Sequence, residues 1–158
     1  MKKMNAIKTV ITPIDFSDNA GLVVESAAYM AQTFGATLHV IFIVQNFEDY
    51  SGFFVPQMNV PNIEHELFVG AEEQMESFCK EHSAYLEKAG VQVLSKVLVG
   101  DVAEKIVEYS AEEGGDMIVM GTHGYKGLER VMFGSVADKV VKSAPCPVMT
   151  INPYTCCD

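Results

Sequence analysis

Apolar positions follow two rhythms along this chain, and the order in which those rhythms alternate predicts the fold. Ile7 to Asp15 is a short run in which Val10, Ile11 and Ile14 are apolar and Pro13 falls near the end, where a missing ladder hydrogen bond costs least. It reads as a buried strand. The spacing then changes to three and four residues. Ala20, Val23, Val24, Ala27, Met30, Ala31 and Phe34 form one face of a helix, with Ser17 placed to cap its start and Gly35 to close it. Thr37 to Val44 is almost continuously apolar and β-branched, as a strand covered on both faces should be. From Gln45 to Pro61 the pattern is lost among Gly52, Pro56 and Asn59, which predicts a long loop acting as a flap or an oligomer contact.

One long helix is expected next, because Ile63, Leu67, Ala71, Met75, Phe78, His82, Tyr85 and Ala89 recur on one face until Gly90. Val91 to Val99 reads as a third strand. Asp101 and Glu104 then form a capping-box signature for a helix carrying Val102, Ala103, Ile106 and Val107, which ends at Gly114-Gly115. Met117 to Met120 is a short fourth strand, Gly134-Ser135 opens a helix with Val136, Val140, Val141 and Ala144 inward, and Pro145 stops it. Cys146 to Ile151 is the fifth strand. Five strands alternating with four helices predict an α/β fold: a doubly wound, five-stranded parallel sheet with right-handed crossovers and helices on both faces. A single domain over residues 1–152 with a short tail at 153–158 accounts for the whole length.

Composition narrows the function. The net charge of −10 disfavours attachment to nucleic acid or anionic membranes, so any anionic ligand must be held locally. The apolar runs are too short to span a bilayer, and the lysines at the N-terminus are not followed by a leader segment, so a cytoplasmic protein is expected. Cys79, Cys146, Cys156 and Cys157 have neither C-x-x-C nor metal-ligand spacing, and predict reduced thiols.

In an open parallel sheet, ligands collect beyond the carboxyl ends of the strands where strand order reverses. Asp15 and Gly121 each end a strand, and the first and fourth strands are the natural neighbours at that point. The pattern Gly121-x2-Gly124-x9-Gly134-Ser135 adds glycines that permit unusual φ values and let main-chain amides approach an anion. A helix start at Ser135 adds amides that lack an intrahelical acceptor, plus a hydroxyl, and together they predict a phosphate site. Neither the G-x-x-x-x-G-K-[ST] loop nor the G-x-G-x-x-G fingerprint is present, which argues against a motor-type ATPase or a hydride-transferring dehydrogenase.

At these residues the chain resembles the universal stress proteins, whose ATP-binding branch carries G-x2-G-x9-G-[ST] after its fourth strand. Thr12-Pro13-Ile14-Asp15-Phe16-Ser17, Leu38-His39-Val40, Gly127-Leu128-Glu129-Arg130 and Ala144-Pro145-Cys146-Pro147-Val148 extend the resemblance over nearly the whole chain. The resemblance implies a Rossmann-like fold of the adenine nucleotide alpha hydrolase type that binds ATP, with Mg or Mn held through the phosphates. It implies that Asp15 and Val40 contact the adenosine portion and that Gly121, Gly124, Gly134 and Ser135 cradle the phosphates. Val136 would line the same cleft, and Pro13 and Met120 are expected there too. It also implies a homodimer through Val148 to Ile151, an edge strand that needs covering.

His123, Lys126 and Arg130 make a basic cluster that could steer phosphates, although a solvated surface is their expected role. His39 is expected to be a satisfied core histidine and the nine methionines core filler. The leading expectation is a nucleotide-dependent stress-response module without dedicated turnover. A weak ATP hydrolase or adenylyl-transferring relative, and a dimeric scaffold that binds no nucleotide, are the alternatives.

Overall fold

The computed structural model describes residues 6–45, 60–122 and 134–155, the side chains of 60–62 excepted. Strands β1 (Thr9–Pro13), β2 (Thr37–Gln45), β3 (Val93–Gly100), β4 (Met117–Gly121) and β5 (Val148–Ile151) form one parallel sheet in the order β3-β2-β1-β4-β5. The expected neighbours β1 and β4 are paired, with Val10 opposite Met117 and Ile11 opposite Ile118. Helices α1 (Ala20–Phe34), α2 (Val60–Glu81), α3 (Ser83–Ala89), α4 (Val102–Glu112) and α5 (Ser135–Ser143) make the crossovers.

Side chains alternate across each central strand, so one sheet supplies two cores. Val10, Leu38, Val40 and Val119 pack against α1 and its neighbours on one face, where Ala27, Ala28, Ala31, Met75 and Leu86 meet them. Ile11, Ile41, Ile43, Ile118 and Met120 pack on the other face against Ala103, Ile106 and Tyr109 of α4 and Ala137 and Val140 of α5. Each fully buried aliphatic side chain, such as Ile11, Ile41, Ile106 or Ile118, contributes roughly 1.5–3 kcal/mol of transfer free energy.

Three expectations need correction. The long helix is two, α2 and α3, so the described residues hold five helices where four were expected. The break falls at His82 (φ −94, ψ 6), where the Ser83 hydroxyl donates to the Lys80 carbonyl at 2.8 Å and competes with the helix ladder. Helix α1 is not capped by Ser17: its N-cap is Asn19, without a side-chain cap bond, and its buried stripe takes Ala28 where Phe34 was expected. Small alanines let α1 lie close to the sheet, while Phe34 at its last turn stays exposed. The stretch predicted as a 45–61 loop is shorter, because Gln45 still pairs with Gly100 and α2 begins at Val60. Residues 46–59 lie outside the described residues, as do Cys156 and Cys157.

Candidate functional site

Because β1 and β4 lie side by side while α1 leaves one face and α5 the other, a crevice opens at their carboxyl ends. It is a cleft of about 260 Å³. Pro13, Ile14, Asp15, Met120, Gly121 and Thr122 form its floor, Asn19, Ala20 and Val23 of the α1 start one wall, and Val102, Ile106 and the first turn of α5 the other. Most of this lining is apolar, which suits a flat ring system, and its polar groups sit at the two strand ends.

The β1 end is shaped by Asp15. Its Oδ1 accepts from the Ser17 amide at 3.0 Å, a local turn that occupies one carboxylate oxygen. Phe16, between them, has φ 57, the one described residue other than glycine with positive φ. A left-handed conformation costs a bulky residue roughly 1–2 kcal/mol, so the surroundings must hold it.

The β4 end is built around Thr122, whose amide donates to the Ile151 carbonyl at 2.9 Å and whose own carbonyl accepts from the Gly134 amide at 3.0 Å. Two strand ends and the start of α5 are thereby pinned together. Gly134 is the N-cap of α5 (φ −60, ψ 148), has no side chain to offer as a cap, and its carbonyl accepts from Asp138 at 3.0 Å. The amides of Ser135, Val136 and Ala137 therefore have no acceptor among the described residues. Such amides, at the positive end of the helix dipole, have the chemistry to donate hydrogen bonds to acceptors carrying negative charge.

The glycine here acts differently from expectation. Gly134 has an ordinary negative φ; what it provides is room, since a Cβ would stand 3.2 Å from the Thr122 carbonyl oxygen. Ser135 is likewise the first helical residue and not the cap, so its exposed hydroxyl is spared from capping.

Of the residues singled out from sequence, the structure brings Pro13, Asp15, Met120, Gly121, Gly134, Ser135 and Val136 together around the cleft. The Val40 side chain is elsewhere: it is fully buried in the core beside α1 and does not line the cleft. Gly124, His123, Lys126 and Arg130 lie outside the described residues. Thr122, Asn19, Val102 and Ile106 were missed. The helical valine and isoleucine carry no signal separating a cleft wall from a core face, whereas Thr122, a lone hydroxyl after a buried strand, could have been noticed.

His39 is a core residue, as expected. It is buried, and its Nδ1 shares a hydrogen bond of 2.9 Å with the Tyr109 hydroxyl. Burial holds His39 below its ordinary value of 6.5, with Glu113 opposing and Lys96 reinforcing, and burial, helped by Glu113, pushes Tyr109 up. Among the described residues no three His, Cys, Asp or Glu side chains are grouped to hold a metal, and no helix is long and apolar enough to cross a membrane.

The family model described as the universal stress protein family matches residues 6–152. A universal stress protein of Methanocaldococcus jannaschii is 34% identical over 149 residues, covering 94% of this chain and 84% of its own. The solved universal stress protein UspA of Lactobacillus plantarum superposes with a TM-score of 0.78 at 24% identity, over 93% of this chain and 99% of that one. A universal stress protein of Archaeoglobus fulgidus in complex with dAMP superposes with a TM-score of 0.65 at 22% identity, over 92% and 98%.

Proposed function

This chain belongs to the universal stress protein family, and we propose that it works as a nucleotide-dependent stress-response module of the cytoplasm, taking ATP into the cleft between β1 and β4. The observation that carries the reading is the start of α5, where the amides of Ser135, Val136 and Ala137 have no acceptor among the described residues and follow a Gly134 that brings no capping side chain and packs close to the Thr122 carbonyl. The apolar lining from Val23, Ile106, Met120 and Val136 fits a purine ring, and the second carboxylate oxygen of Asp15, which has no described partner, fits ribose hydroxyls. A relative of the same fold was solved with dAMP, in keeping with an adenine nucleotide as the ligand.

In this reading the α5 amides and the Ser135 hydroxyl hold phosphate oxygens, while Asp15 orients the nucleoside. A divalent cation, Mg or Mn, would supply charge neutralisation and be held through the phosphates themselves. The protein's part is to bind and orient, without dedicated turnover. Calorimetric titration of ATP into the purified protein and into Gly134→Val tests this: the wild type binds, and the variant, whose side chain collides with the Thr122 carbonyl and displaces the start of α5, loses binding. Equal affinity would remove the cradle from the account. Sustained ATP hydrolysis abolished by Asp15→Ala would contradict the absence of turnover.

We read β5 as the seam of a homodimer, because it pairs with β4 alone among the described strands and Met149 on it is exposed. Light scattering on Met149→Pro should show a halved mass, and an unchanged mass would refute that seam.

A further inference from the structure

We propose that Phe16 is a positioning residue for the ligand: an aromatic train running away from the cleft holds its backbone left-handed, and that conformation aims Asp15. The proposal rests on the reading that the cleft holds a nucleotide.

Asp15 and Ser17 both line the cleft, but Phe16 between them does not. Its ring lies instead on Phe42 of β2, with centroids 4.5 Å apart, and meets Phe78 of α2 edge-on at 6.0 Å. Phe78 in turn packs against His82 at 4.4 Å. The far end of the same turn is held from the same side: a Cβ on Gly21, in the first turn of α1, would stand 2.9 Å from Cε1 of His82.

The turn carrying Asp15, Ser17 and Asn19 is therefore fixed at both ends by one surface, the end of α2 and its break at His82. A phenylalanine does not adopt φ 57 by preference, so the ring contacts must over-determine it. If the ring is lost, the backbone relaxes toward negative φ, the Ser17 amide leaves Oδ1 of Asp15, and the free carboxylate oxygen no longer points at the nucleoside.

A double-mutant cycle on the full chain, read by ATP calorimetry, separates this from a general loss of packing. Phe16→Ala should weaken ATP binding about tenfold and Phe16→Tyr less than about twofold, whereas in an Asp15→Ala background Phe16→Ala should add less than about twofold. A full tenfold loss on top of Asp15→Ala, or none in the wild-type background, would overturn the proposal. Because Phe16→Ala removes core contacts, Phe78→Leu, remote from the cleft, serves as a second variant and should weaken binding about threefold with the same non-additivity. An independent loss from Phe78→Leu would also count against it.

Hydrogen exchange of the Ser17 amide in ligand-free protein needs no nucleotide. It should quicken at least about tenfold in Phe16→Ala, and stay near wild type in Phe16→Tyr. An unchanged Ser17 amide overturns the positioning role. A quickened amide in a protein that binds no ATP supports that role and removes the nucleotide reading instead.

Discussion

Helices α4 and α5 start at the same end of the sheet, beyond the carboxyl ends of β3 and β4, with almost the same backbone. The N-cap of α4 is Asp101 (φ −69, ψ 130) and that of α5 is Gly134 (φ −60, ψ 148); each carbonyl accepts the first ladder bond, from Lys105 at 2.9 Å and from Asp138 at 3.0 Å. Only the side chain differs. Asp101 accepts from the Glu104 amide at 3.0 Å and closes its helix, while Gly134 has no side chain to do so and the first α5 amides find no acceptor among the described residues. In the proposed reading, a helix start serves as a ligand site by lacking a cap that the neighbouring helix has. The energy available to an anion at such a start is the same dipole and amide energy that α4 gives to its own carboxylate.

Exchanging the two caps is the strongest way to break the contrast. Gly134→Asp would give α5 the α4 arrangement, setting a carboxylate where a phosphate is expected, and should weaken ATP binding at least about 100-fold by calorimetry, while its Cβ, 3.2 Å from the Thr122 carbonyl oxygen, crowds that strand end and offsets what the new cap adds to stability. Asp101→Ala removes the cap from the closed helix: it should cost about 1 kcal/mol, read as a fall of about 2–4 °C in Tm, and leave ATP affinity within about twofold.

Acid should reach α4 from its other end. Tyr109 near the end of α4 bonds His39, whose folded-state value lies below 6.5 because burial disfavours the imidazolium. The unfolded chain therefore binds the extra proton first, so this contribution to stability is complete above pH 6.5 and declines as pH falls from there toward the folded value. Denaturant unfolding between pH 7 and 5 should show that decline, and His39→Gln should flatten it. The smallest effect belongs to α5: the Lys142–Asp138 pair at 3.0 Å is largely exposed, and Lys142→Ala should change stability by less than about 0.5 kcal/mol in the same assay.

The contrast between the caps was half legible in the sequence. Asp101 with Glu104 announces its own cap, and Gly134-Ser135 announces an anion site, because both signals are local and carried by residue type. What could not be read depends on distance across the fold. The need for glycine at 134 comes from the Thr122 carbonyl, the wall at Val102 and Ile106 from the crossing of α4, and the burial of Val40 from the packing of α1. The break at His82 was hidden because apolar spacing runs through it without interruption. The neighbouring of β1 and β4 and the crevice beyond them were legible, since handed crossovers leave few ways to wind five parallel strands.

The most direct test follows the backbone amides of both helix starts by ¹H–¹⁵N spectroscopy while ATP is added. The account predicts that Ser135, Val136 and Ala137 shift progressively and saturate together, while Ala103 and Glu104 stay in place. Saturating ATP that leaves the α5 amides unmoved, or that moves the α4 amides equally, would contradict it.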